Sequence, residues 1–202
     1  MIGAGPRRLD RPYAAAVLEI VFETHSTSVD NERGIATGWL PGRLSERGKR
    51  QAQELGARRR DDGLSAVYTS DLARAVDTAE IAFAGSALPI HRDARLRECN
   101  YGELNGAPVA ELDAVRLRHV DEPFPGGESY RAAVARMGEL LDELAAERDG
   151  ERVLLIGHSA TRWALDHLVT GVPLEELVAA PFDWQEGWVY RLTARNTTLE
   201  RT

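Results

Sequence analysis

Twice in this chain an apolar run breaks off at a histidine. Val17, Leu18, Ile20, Val21 and Phe22, interrupted only by Glu19, lead through Glu23 into Thr24, His25, Ser26, Thr27 and Ser28. About 130 residues later the run RVLLI, Arg152 to Ile156, leads into Gly157, His158 and Ser159. Short runs rich in β-branched and aromatic residues favour buried strands. The small polar residues that follow cannot form a core and make a poor helix. In a parallel sheet the carboxyl ends of all strands lie along one edge, where open α/β folds hold their ligands. One such histidine also fits a capped turn. Two of them can face each other across a site if their strands are neighbours.

The rest of the chain alternates in the way a parallel sheet requires. Gly34 to Arg43 reads as an irregular loop. Ser45 caps a helix carrying Gln51, Ala52, Leu55 and Ala57, which Asp61, Asp62 and Gly63 end. Ser65 to Tyr68 reads as a second strand. Thr69, Ser70 and Asp71 offer caps to a helix with the stripe Leu72, Ala75, Val76, Ala79 and Ala82. A third strand is expected around Leu88 to His91. Arg95 to Gly106 has no clean period, yet it carries Glu98, Asn100, Glu103 and Asn105, and irregular polar backbone of this kind marks a site. A helix from about Pro108 to His119, the turn PFPGGES and the longest helix, Ser129 to about Arg148, follow. Leu165, Leu168 and Val169 give the helix after His158 an apolar face. Trp188 to Leu192 reads as an edge strand, with Thr197 to Arg201 as its hairpin partner. The alternation predicts a three-layer α/β/α sandwich with a mainly parallel central sheet.

Length and composition narrow the function. A chain of 202 residues suffices for one sizeable domain, placed at 15–202 behind a loose arm at 1–14. The formal net charge of -7 argues against nucleic acid as the main partner. The cluster Arg58, Arg59, Arg60 reads as a solvated helix end. The lone Cys99 excludes an internal disulfide and the paired cysteines of a zinc site. A basic opening and an apolar run imitate a signal peptide, but Glu19 interrupts the run and no cleavage-like site follows. With no stretch of 18 apolar residues, no membrane partner is expected and a cytoplasmic location follows. His91, His119 and His167 match no motif. Trp184 and Trp188 fit either packing on the sheet edge or the contact surface of a possible homodimer.

At this point the sequence resembles the histidine phosphatase superfamily, also called phosphoglycerate mutase-like. The resemblance runs from about Leu18 to Leu192 through THSTSVDN, LSERGKRQA, YTSDLARAVDTA, LRECNYGELNG, PGGES and IGHSATR. It implies that His25 takes the phosphoryl group as a phosphohistidine. His158 and Arg74 would hold the phosphoryl oxygens. Glu98 would protonate the leaving oxygen and then activate water. Thr24, Ser26, Asn31, Ser159 and Arg162 would bind substrate, Arg162 being divided between binding and packing. No metal and no cofactor are implied, and the partner is a small phosphorylated metabolite. Each role has a plainer reading beside it. Arg74 could pair with Asp77 or Asp71, and Glu103 competes with Glu98.

The pattern departs from the family at its centre. The signature there is arginine, histidine, glycine, and this chain has Thr24, His25, Ser26. A threonine hydroxyl replaces a planar fork of donors. Losing such a partner costs roughly 2–5 kcal/mol, about 30-fold to several-thousand-fold in rate. Three outcomes stand open: Arg162, Arg43 or Arg33 restores the charge; the site is specialised for another group; or the protein binds a phosphorylated ligand without turnover. The expectation taken forward is a metal-independent phosphatase for a small phosphomonoester, against a binding protein or a mutase-type phosphotransferase.

Overall fold

A computed structural model describes residues 17–193. The expected arm at 1–14 and the expected hairpin partner Thr197 to Arg201 lie outside them. Seven strands are formed: β1 Val17–Thr24, β2 Ile35–Ala36, β3 Ala66–Thr69, β4 Ile90–Arg92, β5 Ala107–Pro108, β6 Arg152–Gly157 and β7 Trp188–Thr193. The α-helices are α1 Val29–Glu32, α2 Glu46–Arg59, α3 Ala73–Ala82, α4 Val109–Val115, α5 Tyr130–Glu147, α6 Ser159–Leu165 and α7 Leu174–Ala179. The main sheet has the order β4-β3-β6-β1-β7, parallel except for β7. β2 and β5 form a separate two-stranded ladder. Among the described residues no helix is long and apolar enough to cross a membrane.

Strand alternation divides the core in two, which is why three layers form. Leu18, Ile20 and Phe22 of β1, with Val153 and Leu155 of β6, pack against Met137, Leu140, Leu141 and Leu144 of α5 and Trp163 of α6. Val21, Val67, Leu154 and Ile156 point the other way, onto Leu55 of α2 and Ala75 and Ala79 of α3. Ser45 and Ser129 cap α2 and α5 by accepting from Gly48 N and Ala132 N. Ser45 is the cap the sequence offers, and Ser129 is where the longest helix was expected to begin.

The expected cap of α3 is different. Its N-cap is Leu72, with no side-chain cap bond. Asp71 instead accepts two hydrogen bonds from Arg97, and a charge-assisted bidentate pair outweighs a cap. The helix expected to run to His119 becomes α4 followed by a 3-10 turn, Arg116–His119. The arginine cluster is not a simply solvated end. Arg59 turns inward onto the buried Glu23 at 2.9 Å and Arg60 donates to the Ala82 carbonyl at 2.8 Å. Trp188 packs on Phe22 and Phe182, whereas Trp184 stays exposed. His91 stacks on Tyr68 and His119 on Phe124, while His167 Nδ1 meets the Val172 carbonyl.

The connections fix where a ligand can enter. The chain leaves β1 toward α2 on one face of the sheet and leaves β6 toward α6 on the other. Adjacent strands whose loops part to opposite faces open a crevice at their carboxyl ends. β1 and β6 are such a pair, with Thr24 in register with Gly157.

Candidate active site

His25 and His158 sit at that crevice with ring centroids 4.9 Å apart. Parallel pairing continues one residue past β1, where His25 N donates to the Gly157 carbonyl at 2.9 Å. The following turn is fastened on both sides: Ser26 N donates to Thr78 Oγ1 at 3.0 Å, and Thr27 N donates to Gln51 Oε1 at 3.0 Å. Thr78 in turn donates to the Arg74 carbonyl. The loop after β1 is therefore pinned to α2 and α3 through Gln51 and Thr78, which lie within LSERGKRQA and YTSDLARAVDTA but were expected to do no such work.

The hydrogen bonds determine which ring nitrogens carry protons. His25 Nδ1 lies 2.8 Å from the Ser26 carbonyl, which can only accept, so the proton is on Nδ1. Nε2 is left with its lone pair and accepts from Arg74 Nε at 3.2 Å. His158 Nδ1 lies 3.3 Å from Arg74 Nη2, which can only donate, so the proton of His158 is on Nε2. That Nε2–H is buried and has no partner among the described residues. Burial, reinforced by the Arg74 charge, holds His25 down to about 3 and keeps His158 far below its ordinary range. Both rings are neutral at ordinary pH.

Arg74 comes from the first turn of α3 and is 2% exposed. It pairs with neither Asp71 nor Asp77. Its Nη2 also donates to the Gly38 carbonyl at 2.9 Å, and Nη1 is buried without a partner among the described residues. Gly38 has φ +54, and a Cβ there would collide with the Asn105 side chain. Glycine is thus required for the carbonyl that orients Arg74.

Glu98 is 8% exposed, while the rival Glu103 is exposed and lines no part of the cleft. Glu98 Oε1 accepts from Cys99 N at 2.8 Å and Ala160 N at 3.1 Å, which leaves Oε2 uncommitted. Burial pushes its carboxyl above the usual range, against the lowering effect of those backbone bonds and of Arg74. Its own carbonyl is held by Trp39 Nε1 at 2.6 Å and Arg136 Nη2 at 3.1 Å. The PGGES turn packs so tightly on the acid loop that a Cβ on Gly127 would collide with the Asn100 carbonyl.

The cleft has two lobes that share His25, Asn31, Ser159 and Phe182. One, of about 340 Å³, contains Arg74 and Glu98 and is walled by Tyr101, Tyr130, Arg116 and Trp163. Tyr130 Oη is buried there without a partner among the described residues. The other, of about 390 Å³, contains Thr24, Ser26 and His158. Asn31 has its side-chain oxygen committed to Ser28 N and Oγ, both at 2.9 Å, so its amide NH2 is the free end. Arg162 lines neither lobe. It pairs with Asp166 and stacks on Trp188, 4.5 Å from the ring centroid, contacts that fit the packing half of its expected role. Arg33 and Arg43 are exposed and outside both lobes. None of the three arginines expected to replace the missing one is in place to do so. Tyr130, Trp163 and Arg116 were not foreseen, because their segments read as helices, and Tyr101 was not singled out although its loop was expected to line a site.

A neutral imidazole whose lone pair is held by one arginine, beside a second neutral imidazole and lining the same cleft as a buried acid, has the chemistry to receive a tetrahedral anion. The chain belongs to the histidine phosphatase superfamily (branch 1), whose pattern matches residues 20–201. Among curated relatives, a 2,3-bisphosphoglycerate-dependent phosphoglycerate mutase of Methylobacterium sp. (strain 4-46) is 32% identical over 199 residues, 90% of this chain and 94% of that protein. Among solved structures, Bacillus stearothermophilus YhfR superposes with TM-score 0.76 at 26% identity, covering 88% of this chain and 95% of that one. A mycobacterial glucosyl-3-phosphoglycerate phosphatase complexed with VO3 superposes with TM-score 0.69 at 28% identity, covering 83% and 88%.

Proposed function

We propose that the chain is a metal-independent phosphatase that hydrolyses a small phosphomonoester through a phosphohistidine on His25. The observation that supports this reading is that Arg74 bridges the two rings, Nε reaching His25 Nε2 at 3.2 Å and Nη2 reaching His158 Nδ1 at 3.3 Å, while Arg74 Nη1 and His158 Nε2 are buried with no hydrogen-bond partner among the described residues. Desolvated donors of this kind are costly to maintain and are met by the oxygens of a phosphoryl group.

In the first step His25 Nε2 attacks phosphorus while the bond to the leaving oxygen breaks. Arg74 turns from Nε2 to the phosphoryl oxygens, and His158 Nε2–H donates to another. The raised Glu98 carboxyl gives its proton from Oε2 to the leaving oxygen. In the second step the Glu98 carboxylate takes a proton from water. That water attacks phosphorus, and the P–N bond breaks back to a neutral His25.

The mutase relatives motivate a second reading, in which the phosphoryl group passes from His25 to another hydroxyl instead of water. Chain length does not separate the two, because the Methylobacterium mutase is covered over 94% of its own length. Water access favours hydrolysis, since the cleft is open on both sides of His25. Turnover of p-nitrophenyl phosphate by wild type and His25→Ala tests the proposal, with EDTA present and with acid-labile phosphoprotein measured alongside. Expected are turnover and phosphoprotein in wild type, unchanged by EDTA, and neither in His25→Ala. Equal rates in both proteins across pH 5 to 8 would leave a binding protein. Interconversion of phosphoglycerates faster than hydrolysis would establish the mutase.

A further inference from the structure

The cleft does not stop at the proposed phosphoryl site. On the Thr24 side of His25 its larger lobe continues as a groove with Arg47, Gln51, Glu54 and Arg58 along one wall and Phe182 and Trp184 along the other. The first four residues follow helical spacing on one face of α2, so the groove accompanies that helix for roughly 16 Å. Gln51 meets Thr27 at 3.0 Å, and Arg58 lies beside Glu23. His25, between Thr27 and Glu23 in the chain, therefore lies partway along the groove rather than at its end.

Arg58 closes the far end with donors to spare. The Glu23 carboxylate accepts from Arg59 Nε at 2.9 Å. Arg58 forms ion pairs with Glu23 and with Glu186, both at 3.7 Å and so longer than a hydrogen bond. Its Nε is buried and has no hydrogen-bond partner among the described residues. Arg58 lines the lobe, and a carboxylate or phosphate oxygen is the acceptor that matches the geometry of a guanidinium there. The passage from His25 to Arg58 runs past Thr24, whose short side chain leaves it open. The lobe, at about 390 Å³, has the size of a pocket for an organic ligand. Arg47, at the other end, is exposed.

We propose that this groove is a second anion subsite, in which Arg58 takes an acidic group that the ligand carries on the Thr24 side of the phosphoryl group seated at His25. The proposal rests on the reading of His25, Arg74 and His158 as the phosphoryl site. It gives a use to the small residue at position 24: a side chain the size of arginine there would enter the passage. The exposed Glu54 on the same wall disfavours a long run of anions and leaves room for one compact group at Arg58.

Calorimetric titration of the full chain with inorganic phosphate, pyrophosphate and tripolyphosphate tests this without requiring turnover. In wild type the better of the two longer anions binds at least about tenfold more tightly than phosphate. Arg58→Ala abolishes that gain while phosphate binding stays within about twofold. Arg47→Ala, which removes the same charge from the exposed end, keeps the gain within about twofold. Thr24→Arg fills the passage, so phosphate binds as well or better and the gain disappears. The subsite is overturned if wild type shows no gain, or if the gain survives Arg58→Ala. It is also overturned if Arg58→Ala weakens phosphate as much as the longer anions, which would put Arg58 on the phosphoryl group itself. Absence of phosphate binding in wild type would remove the phosphoryl-site reading, and the subsite with it.

Discussion

Replacing Glu98 by glutamine separates proton donation from the shape of the site. Glu98 Oε1 accepts from Cys99 N and Ala160 N, and a glutamine carbonyl accepts the same two bonds in the same place. What disappears is the proton on Oε2. General acid catalysis contributes about 10²- to 10⁴-fold, equivalent to about 2.7–5.5 kcal/mol of barrier, but only where the leaving oxygen needs a proton. An alkoxide needs one and p-nitrophenolate does not. In rapid-quench experiments the phosphorylation of Glu98→Gln by glycerol phosphate therefore slows by about 10²- to 10⁴-fold, and that by p-nitrophenyl phosphate by less than about tenfold. The second step also loses its base, so p-nitrophenolate appears as a burst of one equivalent followed by slow turnover. The pH profile gives an independent reading. Burial raises the Glu98 carboxyl, so wild-type kcat/KM on an alkyl phosphate is present below that raised pKa and falls as pH rises through it. The glutamine variant lacks this limb. Equal slowing of both substrates in the burst phase, or an alkaline limb retained in Glu98→Gln, would refute the assignment of Glu98 as the acid.

Arg74→Lys removes donors that reach His25, His158 and Gly38 together; kcat/KM falls by about 30-fold to several-thousand-fold, and a loss under about threefold in the p-nitrophenyl phosphate assay contradicts the role. Gly38→Ala forces an L-residue into φ +54 against Asn105, lowering stability by about 1–3 kcal/mol as a shift in urea midpoint, with weaker phosphate binding because the Arg74 anchor moves. Leu140→Ala empties a fully buried position under the sheet and costs about 2–5 kcal/mol, seen as a lower midpoint at unchanged m-value. His25 binds a proton in the folded state only near pH 3, whereas the unfolded chain binds it near the ordinary 6.5. Stability thus declines as pH falls from about 6.5 toward 3, and His25→Asn flattens that decline in urea titrations at stepped pH.

β1 and β6 were legible because nearly continuous apolar runs are what a strand buried on both faces looks like. The helices with serine caps, α2 and α5, were legible for a local reason: cap, body and stop lie within one segment. The crevice between His25 and His158 followed from the rule that parallel strands share an edge. What the sequence concealed was decided between distant segments. Asp71 gave up its cap for Arg97, and Arg162 chose Asp166 and Trp188 over the cleft. The β2–β5 ladder joins two strands of two residues each, far too short to carry a period. Arg58 and Arg59 look alike in sequence, yet the hydrogen bond to Glu23 goes to Arg59 alone.

The first and last described strands lie side by side and run in opposite directions, Val17 opposite Thr193. A polypeptide entering at one and departing at the other does so at the foot of the sheet, a single strand spacing of about 5 Å apart. His25 is eight residues further along from Val17, roughly 26 Å away. The described chain thus starts and finishes at the base of the sheet, at the end away from the mouth of the cleft.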